Sequence, residues 1–341
     1  MTSKQTVELF FPHFELNIIS NDKNITRLIT QQFPKQTQAS NTPKRRRGHP
    51  AIRVECFRTE YSKLPRSSYD CFHGFTIFYN RFVEYEKKGQ QYKDSRICYD
   101  VGPRTLRTII DQPKNTITSY IATPSDFEKD LLFDLIFFQP LKCLLLLHGL
   151  YLFHASCVAK DNKGVLFAGK SGSGKTSLAL TLLRKGFCFL ADDEVILYPQ
   201  GEKVQCGHFS SRPKIKKQSF CFFPEWRSKT IPGSTKKDKV LIDLKPSGIK
   251  SQKNGTATPQ LLIFPKFVKS SPTKITVFDK QKALTRLSKE ESQEVRFSAR
   301  GVYEKHFLIY ASLLKQVRTY QLFYQDKDLH KIPDMIAELL D

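Results

Sequence analysis

Gly169-Lys170-Ser171-Gly172-Ser173-Gly174-Lys175-Thr176 fills every fixed position of the pattern G-x-x-x-x-G-K-[ST]. Glycines let successive backbone N–H groups curl around phosphate oxygens. The lysine brings a cation to the β- and γ-phosphates, and the closing hydroxyl can ligate Mg²⁺. Gly164 to Ala168 (GVLFA) is a short apolar run suited to a buried strand, and Ser177 to Lys185 (SLALTLLRK) has helical composition with a stop at Gly186. The octapeptide is thus predicted to join a strand to a helix, whose N-terminal partial charge favours an anion. Gly169, Ser171, Gly172, Ser173, Gly174, Lys175, Thr176 and Ser177 form the candidate cradle for a nucleoside triphosphate.

Two further features flank this loop. Tyr151 to Ala159 (YLFHASCVA) reads as one strand carrying His154, and Phe187 to Leu190 reads as a strand that leads into Asp192-Asp193. Carboxylates at the end of the strand after a phosphate-loop helix fall at the sheet edge where phosphates lie. One can help hold Mg²⁺, and the other can take the proton from an attacking hydroxyl. His154, emerging at the same edge, can bond to that base and tune its proton affinity.

With 341 residues the chain can bury a substantial core, and it reads as two parts. Residues 1–125 form a smaller β-rich region with aromatic alternation over Phe72 to Tyr85, expected to be antiparallel, with a hairpin turn at Lys87-Lys88-Gly89-Gln90. A boundary falls near Thr123 to Asp126, where Ser125 or Asp126 can cap a helix running to about Phe138, and residues 126–341 form the larger α/β part. Leu131 to Phe153 is apolar enough to suggest a membrane span, but Asp134, Lys142 and His148 interrupt it. Pro140 there opens a helix that closes at Gly149, followed by a strand. Toward the C-terminus the sequence becomes helical through Phe307 to Tyr324.

Lysines and arginines number 55 against 33 acidic residues, a formal charge of +22. That charge attracts nucleic acid, an anionic membrane or an acidic protein without choosing among them. The run Lys44-Arg45-Arg46-Arg47 sits in a polar segment that reads as a solvated basic loop, with a nucleic-acid or acidic-protein contact as the alternative. Eight scattered cysteines with no CxxC pair fit reduced thiols, and the first residues show no secretory signal, so a cytoplasmic location is expected.

Phe153 to Ala159, Gly164 to Thr176 and Lys185 to Asp193 together resemble the catalytic domain of HPr kinase/phosphorylase. They resemble more closely the shorter HPr-kinase-related proteins of bacterial peptide-modification clusters, including lasso-peptide kinases. Ser211-Arg212-Pro213-Lys214-Ile215-Lys216-Lys217 resembles the Arg-Pro…Lys stretch of those proteins. Leu262 to Lys266 and Ile275 to Val277 resemble their late strands, so the likeness runs over about residues 126 to 290. The resemblance implies a P-loop kinase fold related to ATP-dependent phosphoenolpyruvate carboxykinase, with ATP and Mg²⁺ as cofactors and a serine hydroxyl as acceptor. It also implies roles: Lys175 and Thr176 for phosphate and Mg²⁺, Asp192 as general base, Asp193 as a metal-side carboxylate, and His154 as partner of the base.

The leading expectation is therefore an ATP- and Mg²⁺-dependent kinase acting on a serine-type hydroxyl of a peptide or protein. A small-metabolite kinase of the same fold and a nucleic-acid-associated P-loop ATPase are the alternatives, and a homo-oligomer is left open. Arg212, Lys214 and Lys216 read either as positive charge near the γ-phosphate or as a basic surface loop.

Overall fold

A computed structural model describes residues 4–33, 50–59, 74–78, 81–85, 96–101, 106–111, 114–122, 132–209, 212–231, 238–244, 255–291 and 302–341. The basic run Lys44 to Arg47, the turn at 87–90, the caps at 125 and 126, and Ser211 lie outside these residues. The chain divides into two compact units, Met1–His148 and Gly149–Asp341. The sequence reading put that division after residue 125. It falls later because Ser119 donates to the Ile136 carbonyl at 3.1 Å, and because the helix Gln139–Leu147 buries Leu141, Leu144 and Leu145 with the first unit.

Among the described residues the first unit carries eight strands: β1 (Gln5–Phe10), β2 (Glu15–Ser20), β3 (Ala51–Arg58), β4 (Gly74–Phe78), β5 (Arg81–Tyr85), β6 (Arg96–Val101), β7 (Leu106–Asp111) and β8 (Thr116–Ile121). They form one sheet in the order β1-β2-β3-β8-β7-β6-β4-β5. It is mixed and not antiparallel as expected, since β2–β3, β3–β8 and β4–β6 run parallel. Parallel neighbours need a crossover, and the helix Lys23–Gln32 lies in the one between β2 and β3. Asp22 caps that helix by accepting from the Asn24 N–H at 2.8 Å.

The second unit holds β9 (Tyr151–Phe153), β10 (Ala155–Lys160), β11 (Lys163–Ala168), β12 (Cys188–Ala191), β13 (Val195–Gln200), β14 (Lys203–His208), β15 (Lys214–Lys216), β16 (Lys239–Leu241), β17 (Thr256–Phe267), β18 (Lys274–Val277) and β19 (Arg318–Tyr324). Nine of them form a sheet whose main path runs β12-β10-β11-β17-β14-β13-β9, with β19 on β17 and β18 on β19. β15 and β16 pair separately. The run expected to be one strand over 151–159 breaks at His154: β9 pairs with β13, whereas β10 pairs with β11 and β12. The chain changes partners at that residue.

Strands buried on both faces read as continuous apolar runs. Val165 and Phe167 of β11 pack with the helix Lys175–Leu183 and the helix Ile332–Leu340, while Leu166 and Ala168 face the helices Lys280–Glu291 and Val302–Gln316. The expected helix through Tyr324 ends at Gln316, and residues 318–324 are strand. RTYQLFY is rich in aromatic and β-branched residues, and its parallel register on β17 buries Leu322 and Tyr324. β11, β17 and β19 run parallel, and β10 runs opposite to both β11 and β12. The C-terminal ends of β11, β12, β17 and β19 therefore share one edge with the start of β10. That edge carries the site. Among the described residues no helix is long and apolar enough to cross a membrane.

Candidate functional site

β11 delivers the chain to Gly169, and the helix Lys175–Leu183 leaves the loop with Gly174 as its N-cap. Gly172 and Gly174 have φ of 83° and 94°, left-handed values that cost a side-chain-bearing residue about 1–2 kcal/mol. A Cβ on Gly172 would meet nothing within 4 Å, so the loop opens there. Beside Gly174 there is no such room, because a Cβ would come within 1.8 Å of Tyr324 Oη. That hydroxyl donates to the Ser173 carbonyl at 3.1 Å. Tyr324 thus fills the space left by the glycine and anchors the loop at once. On another side, Arg286 Nη2 would lie 3.3 Å from a Cβ on Gly169. Its guanidinium stacks on Phe264 at 4.8 Å and reaches Gln321 Oε1 at 3.4 Å.

Lys175 is buried, and its ammonium donates to the Gly169 carbonyl at 2.6 Å and the Lys170 carbonyl at 3.4 Å. It also lies 3.1 Å from His154 Nε2. An ammonium has no lone pair, so the imidazole is the acceptor at this contact. His154 also bears on the carboxylate pair, since its charge lowers the pKa of Asp193.

Asp192 is 1% exposed. Thr176 Oγ1 donates to its two oxygens at 2.9 and 3.1 Å, the Lys214 backbone N–H donates to Oδ2 at 2.9 Å, and the Ser156 hydroxyl donates to Oδ1. Burial pushes its pKa up to about 6, with the Asp193 charge adding to the rise and these donors opposing it. Asp193 behaves in the opposite sense. Burial alone would raise its pKa, but Lys214 and Lys239, then His154 and Lys175, hold it below the usual carboxylate value. Its Oδ2 lies 3.5 Å from Lys214 Nζ, and its backbone sits at φ 65°, an unusual conformation for a non-glycine residue.

The structure thus brings His154, Lys175, Thr176, Asp192 and Asp193 to one sheet edge with the glycine loop. It adds Ser156, Tyr324 and Arg286, which the sequence reading had not placed here, and puts Lys214, read there either as charge near the γ-phosphate or as a basic surface loop, beside the two carboxylates. Ser156 left a signal: it is a lone hydroxyl in an apolar strand and had to find a polar partner. Tyr324 and Arg286 left none, because tertiary pairing alone brings them near. Thr176 with the two carboxylates forms a small set of hard oxygen donors, as suits Mg²⁺, which keeps water and phosphate oxygens for its remaining positions. Ser173 Oγ, buried in the loop without a hydrogen-bond partner, suits an oxygen-rich ligand. Among the described residues no group of three or more His, Cys, Asp or Glu is placed to hold a metal.

These features define a mixed α/β unit with a glycine-rich loop between strand and helix and a carboxylate pair at the same edge. Residues 149–217 match the HPr serine kinase C-terminal domain family, and over that stretch the chain is HPr-kinase-like, as the sequence resemblance implied. The match ends at 217, short of the expected 290. The HPr kinase/phosphorylases of Pelodictyon phaeoclathratiforme and Chlorobium limicola are 42% and 44% identical over 52 residues, which is 15% of this chain and 16% of each relative. The chain therefore spans only 16% of the length of these curated relatives. The solved Hpr(Ser) kinase/phosphatase of Coxiella burnetii aligns at 15% identity over 55% of this chain and 93% of that chain, with a TM-score of 0.28. At that score the likeness carries no weight for the architecture, which stands on the strand pairings above.

Proposed function

We propose that the unit Gly149–Asp341 binds ATP with Mg²⁺ at the glycine loop and transfers the γ-phosphate to a serine-type hydroxyl of a peptide or protein. Bound together, ATP supplies the phosphoryl group, and Mg²⁺ neutralises charge on its oxygens. The loop amides, Lys175 and the helix N-terminus hold phosphate oxygens, and Thr176 and Asp193 are the protein's metal ligands. Asp192 receives the proton of the acceptor hydroxyl.

The observation that carries this reading is the state of Asp192. A carboxylate with a pKa near 6 is mostly ionised at neutral pH yet basic enough to accept a proton, as a general base requires. Ser156, Thr176 and the Lys214 N–H, which donate to it, hold the carboxylate in one orientation. The likeness of residues 149–217 to HPr serine kinases supports the same chemistry. The burial of Asp192 favours one exchange of roles as a second reading, with Asp193, whose side chain is 23% exposed, as base and Asp192 beside the metal.

Mass spectrometry of serine peptides incubated with protein, ATP and Mg²⁺ tests the proposal. Peptides should gain one phosphate, matched alanine peptides should not, and Asp192→Asn should slow transfer by about 10²–10⁴-fold. Full transfer by Asp192→Asn would overturn the assignment of the base. Full transfer by Lys175→Ala would overturn the site.

A further inference from the structure

Sheet order gives a bound triphosphate a direction. Thr176 meets Asp192 at one end of the site, and β12, which delivers the carboxylates, stands on one side of β11, with β17 and β19 on the other. A triphosphate that crosses the loop with its γ-phosphate at the carboxylates therefore points its nucleoside toward the C-terminal ends of β17 and β19. Neighbouring strands are about 4.8 Å apart, so those ends lie about 5 and 10 Å from the end of β11, a distance that a nucleoside spans.

Those two ends present an aromatic pair. Phe267 and Tyr324 are register partners at the last positions of β17 and β19, and their rings meet at 5.9 Å and 76°. Tyr324 is buried against the helix that follows the loop, and its hydroxyl holds the Ser173 carbonyl, so Phe267 stands one ring away from the phosphate loop. Phe267 itself is 45% exposed. On the opposite face of the same strands, Phe323 is covered by Lys266 and Lys274, each 5.6 Å from its ring centroid. The backbone around Phe267 is fixed as well. The Val268 N–H donates to the Tyr324 carbonyl at 2.9 Å, and at the far end of the turn Thr273 Oγ1 accepts from the Gln325 N–H at 3.2 Å and donates to Asp328 at 2.8 Å. A large ring is thus held open to solvent on a rigid support beside the loop, as a stacking surface requires.

We infer that Phe267 is the platform on which the nucleobase of the phosphoryl donor stacks, an inference that rests on the nucleotide-binding reading above and deepens it by naming how the base is recognised. Every base has a π-face, so a stacking platform binds by ring area and reads no hydrogen-bond pattern. The site therefore takes purine nucleoside triphosphates as a class: GTP binds nearly as well as ATP, and the smaller ring of CTP binds more weakly than either.

The test is a calorimetric titration of the full chain with the Mg²⁺ complexes of ATP, GTP, CTP and tripolyphosphate, the last having no base to stack. Phe267→Ala should weaken ATP and GTP by about tenfold or more and leave tripolyphosphate unchanged, which also shows that the loop is intact in the variant. Phe267→Trp should keep the affinity for ATP, and its indole fluorescence should be quenched by ATP and GTP but not by tripolyphosphate. The wild type has a single tryptophan, Trp226, which is 2% exposed, so the quenching reads position 267. Unchanged ATP affinity in Phe267→Ala, or an equal loss for ATP and tripolyphosphate, would overturn the inference. So would a preference for ATP over GTP of more than about tenfold, which stacking alone does not supply. A wild type that binds tripolyphosphate as tightly as ATP refutes the platform and leaves the loop reading standing, whereas a wild type that binds neither refutes both.

Discussion

Replacing Asp192 by asparagine should stabilise the protein while removing its chemistry. The rise of the Asp192 pKa from 3.8 to about 6 means that the fold holds this proton more tightly than the unfolded chain does. Between those two values the native state binds more protons, so this group's contribution to stability falls as pH rises and is lowest at neutral pH, where the buried carboxylate is charged. The rise corresponds to roughly 3 kcal/mol on an order-of-magnitude basis. Asparagine has the shape of the neutral acid, keeps an oxygen for the Lys214 N–H, and lets the Ser156 and Thr176 hydroxyls turn to accept from its amide. Some of the gain is lost in that rearrangement, leaving about 2 kcal/mol, or about 4–8 °C in melting temperature for a unit of this size. Melting curves at pH 7.5 and pH 5 measure both parts of the claim. The variant should melt higher at pH 7.5, and its advantage should shrink at pH 5 as the wild-type carboxyl takes up its proton. An Asp192→Asn protein that melts below the wild type by the same margin at both pH values would show the carboxylate to be a stabilising anchor and would refute the reasoning.

Other substitutions probe the loop and its supports. Gly174→Ala should cost roughly 2–4 kcal/mol, because the new methyl meets Tyr324 Oη at 1.8 Å and the residue must hold φ 94°; a melting temperature within about 1 °C of wild type would contradict this. Tyr324→Phe removes only the bond to the Ser173 carbonyl and should weaken ATP binding by about fivefold in calorimetry, corresponding to about 1 kcal/mol. Burial pushes the Tyr324 pKa up to about 12, so the hydroxyl stays a donor and this defect should not vary between pH 6 and about 9. Ser156→Ala deletes a donor that favours the charged form of Asp192, so the acid limb of the pH–rate profile should move upward; a limb that stays in place would separate Ser156 from the base.

What the sequence disclosed was local. The loop, its strand and its helix depend on residues within one turn of each other, and Asp192-Asp193 follows at the end of the next strand, so spacing alone brought them together. His154 was legible as a residue but not as a break, since an apolar run looks the same whether it stays in one ladder or changes partners midway. Arg318 to Tyr324 fell the wrong way for a related reason. A short aromatic run suits helix or strand, and only the parallel pairing with β17, more than fifty residues upstream in sequence, decides between them. Tyr324 and Arg286 reach the loop through that pairing and through the helix packed on the sheet. The burial that raises the proton affinity of Asp192 is likewise a property of the assembled edge and not of its sequence neighbours.

The pH dependence of phosphate transfer to a serine peptide tests the central claim most directly, because it reads the protonation of the base during the reaction. With Asp192 as base, kcat/KM should fall below about pH 6 and the activity should collapse in Asp192→Asn. An acid limb below the usual carboxylate range, with activity lost in Asp193→Asn and retained in Asp192→Asn, would contradict the account and give the proton to Asp193.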